Sequence, residues 1–84
     1  MVTVIASGVT FSPATRTIVR GTTVRWVNNT TTFHTVTPDG HSEWANTNLP
    51  ANSTFEHTFN TAGTYEYFCT PHQAQGMAGT IIVQ

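Results

Sequence analysis

Apolar and polar residues alternate with a period of two over much of the chain, and no stretch repeats apolar residues at i, i+3, i+4 and i+7. That pattern predicts strands and no helix. Val2–Ala6 and Thr17–Arg20 read as early strands, and Thr22–Asn28 alternates clearly, with Val24 and Trp26 on one face and Thr23 and Arg25 on the other. His34–Thr37 reads as a short strand closed by a Pro38-Asp39-Gly40 turn. From Gly40 to Asn52 the periodicity fades, which predicts an irregular segment pinned to the core by Trp44. Ser53–Asn60 sets Phe55, His57 and Phe59 against Thr54, Glu56 and Thr58. After Ala62-Gly63, the residues Tyr65, Tyr67 and Cys69 share a face, and the two stretches together suggest a hairpin. Gly79–Gln84 ends the chain as a buried strand.

About seven to eight short strands separated by turn residues predict an all-β fold, an antiparallel Greek-key sandwich or small barrel, formed as one domain over residues 1–84. If Thr22–Asn28 and Thr64–Cys69 run towards one end, the strands that follow them run away from it. The loops 29–34 and 69–78 then meet at that end, so His34 and Cys69 converge although far apart in sequence.

Composition narrows the function. An 84-residue chain buries only about 60–65% of its unfolded surface, so its core is modest and a bound metal would add rigidity. Arg16, Arg20 and Arg25 are the only fixed cations, against Asp39, Glu43, Glu56 and Glu66. Without a basic stripe, nucleic acid is not an expected partner, and so sparse a charge steers encounters weakly. The arginines are expected on one solvated face. No stretch reaches the roughly 18–20 apolar residues of a membrane span, and Met1 leads directly into strand-like sequence. Either a cytosolic protein or one whose leader has been removed fits that start. The single cysteine excludes an internal disulfide and the paired cysteines of zinc ribbons.

Candidate chemistry gathers in Cys69-Thr70-Pro71-His72-Gln73-Ala74-Gln75-Gly76-Met77, which supplies a thiolate, an imidazole and a thioether within nine residues, with His34 on the adjacent loop. Two imidazoles, one thiolate and a weak axial thioether suit copper shuttling between two oxidation states, because soft sulfur favours Cu(I) and imidazole tolerates both. Elsewhere, His41 is expected to be exposed and His57 to be hydrogen-bonded and partly buried. Trp26, Trp44, Tyr65 and Tyr67 are expected in the core, with Tyr67 as a possible wall of the metal pocket.

The segments His34-Thr35-Val36, Gly63-Thr64-Tyr65-Glu66-Tyr67-Phe68-Cys69, the Cys69–Met77 loop and Gly79-Thr80-Ile81-Ile82-Val83 resemble the plastocyanin and pseudoazurin branch of the cupredoxins. The resemblance implies a type 1 copper site with the ligands His34, Cys69, His72 and Met77, one copper per chain, and one-electron transfer between redox proteins. It also implies an extracytoplasmic location, periplasmic or on a membrane exterior. Three positions depart from the family's habit. Thr35 stands where Asn usually braces the ligand loops, so a hydroxyl facing Thr70 is expected to replace it. Phe68 replaces a tyrosine of the lateral electron route. Only 34 residues separate His34 from Cys69, which removes the region where plastocyanins carry acidic residues. Docking is therefore expected near His72, on Phe33, Pro71, Ala74 and Ala78, with a monomeric chain and little charge steering. A copper enzyme acting on a small molecule such as nitric oxide, a storage module and a domain of a larger protein are the competing readings.

Overall fold

The computed structural model describes residues 1–70 and 76–84. Its nine strands are β1 (Val2–Ser7), β2 (Thr10–Ser12), β3 (Thr15–Ile18), β4 (Thr22–Asn28), β5 (His34–Asp39), β6 (Thr47–Leu49), β7 (Ser53–Phe59), β8 (Gly63–Phe68) and β9 (Ala78–Val83). They form two sheets, one ordered β2-β1-β4-β7 and the other β3-β9-β8-β5-β6. This is the all-β sandwich expected from the alternation, with two refinements. The pairs β1·β4 and β3·β9 are parallel, while the other pairings among the described residues are antiparallel.

The expected hairpin between Ser53–Asn60 and the following strand does not form. β7 pairs with β4 in the first sheet, and β8 lies between β5 and β9 in the second. The residues between them cross from one sheet to the other. The reason lies in the side chains: Phe55 and Phe59 on the inner face of β7 pack beside Trp26 of β4, so the strand is claimed by that neighbour. Two strands, β2 and β6, were not expected. Each has three residues, too few for an alternation to show. The early strand expected at Thr17–Arg20 lies earlier, at Thr15–Ile18, in register with Thr80–Val83, and beyond it Val19 is exposed while the Arg20 N–H still bonds the Gln84 carbonyl at 3.0 Å. Pro38 and Asp39 belong to β5, opposite Tyr67 and Glu66, so the turn begins at Gly40.

Alternation decides the core. Val24 and Trp26 of β4 are fully buried, as are Val36 of β5, Phe59 of β7, and Ile81 of β9. Trp26 stacks on Phe55 with centroids 5.4 Å apart and meets Tyr67 edge-on at 5.4 Å. Trp44 packs 5.4 Å from Trp26 and donates its indole N–H to the Val36 carbonyl at 3.1 Å, which is how the patternless 40–46 stretch is pinned. Tyr67 lies directly across from Gly79, where a Cβ would run into the tyrosine ring, so that position requires glycine. The arginines do not share one face. Arg25 pairs with Glu56 across β4 and β7 at 2.7 Å, whereas Arg16 is exposed on β3 of the other sheet.

Candidate metal centre

β4 and β8 run to the same pole of the sandwich, and β5 and β9 start there: Phe68 at the end of β8 lies opposite Ala78 at the start of β9, β5 runs antiparallel to β8, and Asn28 at the end of β4 bonds the carbonyl of Leu49, which lies opposite His34 at the start of β5. The end of loop 29–33 at His34 and the described residues Cys69 and Met77 therefore meet, as strand direction predicted. His34 and Cys69 are both fully buried, and His34 Nδ1 lies 3.5 Å from Cys69 Sγ. The Thr35 backbone N–H donates to the same sulfur at 3.4 Å. The Cys69 N–H in turn donates to the Met77 carbonyl at 3.0 Å, and Met77 is fully buried. Gly76, at φ 78°, provides the left-handed step that turns the chain into Met77. His72 lies outside the described residues, as do Pro71 and Ala74.

Two polar clusters hold this pole. Asn28 ends β4 on the buried face set by Val24 and Trp26, and every hydrogen-bonding position of its amide is used. Nδ2 donates to the Thr32 carbonyl at 2.7 Å and to the Leu49 carbonyl at 2.8 Å. Oδ1 accepts from the Thr30 N–H at 3.0 Å and the Thr30 hydroxyl at 2.6 Å. Leu49 is the residue opposite His34 in the β5–β6 ladder. The amide thus ties loop 29–33 to the strand beside the histidine. Sequence reasoning missed Asn28, although its parity with Trp26 was the available signal. The second cluster begins at Thr35, whose hydroxyl oxygen accepts from the Thr70 N–H at 2.8 Å. The threonine expected to replace the family's asparagine does span the two loops.

His41 is half-buried rather than exposed. It sits edge-on to Trp44 at 4.9 Å and Tyr65 at 5.3 Å, its Nε2–H donates to the Glu66 carbonyl at 2.8 Å, and its Nδ1 accepts from the Glu43 N–H at 3.2 Å. Those partners occupy both ring nitrogens. His57 meets Glu43 Oε1 at 3.1 Å, as a partly buried, hydrogen-bonded histidine should. Burial pushes the Tyr67 phenol up to about 12, an effect the Trp26 indole beside it offsets in part. Neither the Tyr67 hydroxyl nor the Trp26 indole nitrogen has a partner at full hydrogen-bond geometry, so desolvation is the dominant influence.

A two-sheet sandwich that seats a buried histidine against a buried cysteine between two loops at one pole defines a cupredoxin-like protein. The family described as copper binding proteins, plastocyanin/azurin family, matches residues 1–84, and the chain belongs to it. It is 42% identical over 87 residues to plastocyanin of Scenedesmus fuscus, covering 88% of this chain and 86% of that protein. It is 40% identical over 84 residues to the chloroplastic plastocyanin of Tetradesmus obliquus, covering 88% of this chain but 58% of that one. Among solved structures, the novel purple cupredoxin from Nitrosopumilus maritimus superposes with a TM-score of 0.82 at 26% identity, covering 100% of both chains.

Proposed function

We propose that His34, Cys69, His72 and Met77 hold one copper ion in a type 1 site, within a single domain formed by residues 1–84. The observation that carries this reading is the fully buried contact of His34 Nδ1 with Cys69 Sγ at 3.5 Å. That separation would let both side chains serve as donors to a single ion. A buried imidazole and thiol side by side are also the soft and borderline donors that copper prefers. Membership of the copper-binding family supports the metal independently.

The chain is a small copper electron-transfer protein, as its plastocyanin relatives support, and not an enzyme. Bound copper supplies a one-electron couple between Cu(II) and Cu(I). The protein's part is to hold its donors still. His34 is fixed by the β5–β6 ladder and by Asn28, and Cys69 by its bond to the Met77 carbonyl and by the Thr35 N–H on its sulfur. A donor set that moves little between oxidation states keeps reorganisation small. Burial of His34, Cys69 and Met77 keeps water from the centre.

Partners are redox proteins, met as a monomer through an apolar surface around His72. Phe33, 45% exposed, and Val9, 39% exposed in the β1–β2 turn at the same pole, support that surface, as does exposed Ala78, while the expected contributors Pro71 and Ala74 lie outside the described residues. Nearby acid groups are few, and Glu43 is engaged by His57. Electron-transfer rates with a partner should therefore change little with ionic strength. Among the described residues no helix is long and apolar enough to cross a membrane. A location outside the cytoplasm belongs to the same reading. Adding Cu(II) to the purified chain, with Cys69→Ser alongside, tests it by visible and EPR spectroscopy. An intense thiolate-to-copper band that vanishes in the variant is expected, and a colourless wild-type protein would overturn the ligand assignment.

A further inference from the structure

The bridge from Thr35 to Thr70 does not end with those two residues. Thr37 lies two positions along β5 from Thr35, and its hydroxyl donates to Asn46 Oδ1 at 2.6 Å. A carbonyl-type oxygen can only accept, so the Thr37 proton is committed to Asn46. The Thr37 oxygen is then an acceptor for the Thr35 hydroxyl at 2.9 Å and the Thr70 hydroxyl at 3.0 Å. The Thr35 hydroxyl also reaches the Thr70 hydroxyl at 3.4 Å, a longer contact than its 2.9 Å bond to Thr37, so the shorter bonds give the polar chain one direction. The Thr70 N–H donates to Thr35, the Thr35 and Thr70 hydroxyls donate to Thr37, and Thr37 donates to Asn46. Asn46 belongs to the segment anchored by the Trp44 indole on the Val36 carbonyl and by His41 on the Glu66 carbonyl.

We propose that Thr37 and Asn46 are positioning residues for the metal centre, which pin the Thr35 and Thr70 hydroxyls and so hold the Thr35 N–H on the Cys69 sulfur. The inference rests on the copper reading above. A donor on the thiolate withdraws electron density from sulfur, which favours the reduced metal and raises the potential. Thr35 carries both that N–H and the hydroxyl that the chain holds. Letting the hydroxyl rotate frees the backbone that aims the donor. This assigns a role to the irregular 40–46 stretch, which reaches the centre through Asn46.

Thr37→Val removes the hydroxyl at nearly constant volume, Thr37→Ser keeps it, and Asn46→Ala removes the final acceptor. Two readouts decide. In the copper-loaded protein, Thr37→Val should lower the midpoint potential by about 59 mV, a tenfold shift of the one-electron equilibrium. Asn46→Ala should move it in the same direction by less, and Thr37→Ser by less than twofold. In the metal-free protein, Thr37→Val should speed amide exchange at Thr70 at least tenfold while leaving the Trp26 amide unchanged. A merely structural role would accelerate both amides and spare the potential. If the potential stays within twofold and Thr70 keeps its protection in Thr37→Val, the proposal is overturned. If wild-type protein shows no thiolate-to-copper band, the site assignment fails and the exchange measurement alone upholds or overturns the lock. Should Thr37→Val not fold, Asn46→Ala at an exposed position carries both readouts.

Discussion

Between the middle of the sandwich and its metal-bearing pole, the means of fixing a side chain changes. In the middle, Trp26 is held by Phe55, Phe59, Trp44 and Tyr67, with ring centroids 5.4–6.4 Å away, while its indole nitrogen and the Tyr67 hydroxyl have no partner at full hydrogen-bond geometry. At the pole, Asn28 and the threonines at 30, 35, 37 and 70 are held by hydrogen bonds whose directions are fixed. Packing fills space but tolerates small slides, whereas a saturated amide or a directed hydroxyl chain specifies position. A domain this small uses aromatic area for stability and polar geometry for the site.

The comparison breaks most visibly at Trp26. Trp26→Ala should cost about 3–5 kcal/mol, since it removes the largest fully buried side chain and leaves a cavity four rings cannot close. Small domains hold only about 5–15 kcal/mol in all, so urea unfolding of the metal-free protein should show its midpoint falling to a small fraction of the wild-type value. A loss under about 1 kcal/mol would mean that the aromatic middle is not the stabilising region.

Tyr67 sharpens the same region through pH. Its folded value lies near 12 against an ordinary 10, so the neutral phenol is favoured in the native state. The corresponding stability is complete below pH 10 and is lost as pH rises from 10 towards 12, because the unfolded chain ionises first. Two pH units correspond to about 3 kcal/mol at most. Unfolding midpoints recorded from pH 8 to pH 12 should fall steeply in the wild type and more gently in Tyr67→Phe. Near pH 7 that variant should be within about 1 kcal/mol of wild type, as the hydroxyl it lacks has no well-made bond to lose.

How much of this was legible beforehand divides along the same line. Alternation exposed the strands of the middle, because Val24, Trp26, Phe59 and Tyr65 are buried for the reason the pattern states. The direction of β4 and β8 brought His34 to Cys69, and the contact at 3.5 Å follows from it. Pairing was less legible. β7 chose β4 over β8 because Trp26 offered the better cross-strand neighbour, a choice between partners that no local pattern encodes. His41 looked like a solvated loop residue, yet Trp44, once pinned, gives its ring a face to rest on. Of the hydroxyl chain, the Thr35–Thr70 link was expected from the resemblance, but its extension to Thr37 and Asn46 was not. A threonine's spacing shows its face, not the partner its proton selects.

Asn28 tests the polar half of the comparison, with a smaller cost than Trp26→Ala and the most local effect. Asn28→Ala strips the donors from the Thr32 and Leu49 carbonyls, the second of which is buried, and should cost about 1–3 kcal/mol. Asn28→Asp should be the worse of the two, because a carboxylate retains the acceptor for Thr30 but sets negative charge against two carbonyl oxygens. Amide exchange separates this from a general loosening. Residues 30–34 should lose protection in Asn28→Ala while the amides of β4 and β7 around Trp26 and Phe55 keep theirs. An even loss across both regions, or a cost equal to that of Trp26→Ala, would show that the pole and the middle are one cooperative unit. Confinement of the change to loop 29–33 would instead mean that the histidine's position is set by a single amide, independently of the packing that keeps the domain folded.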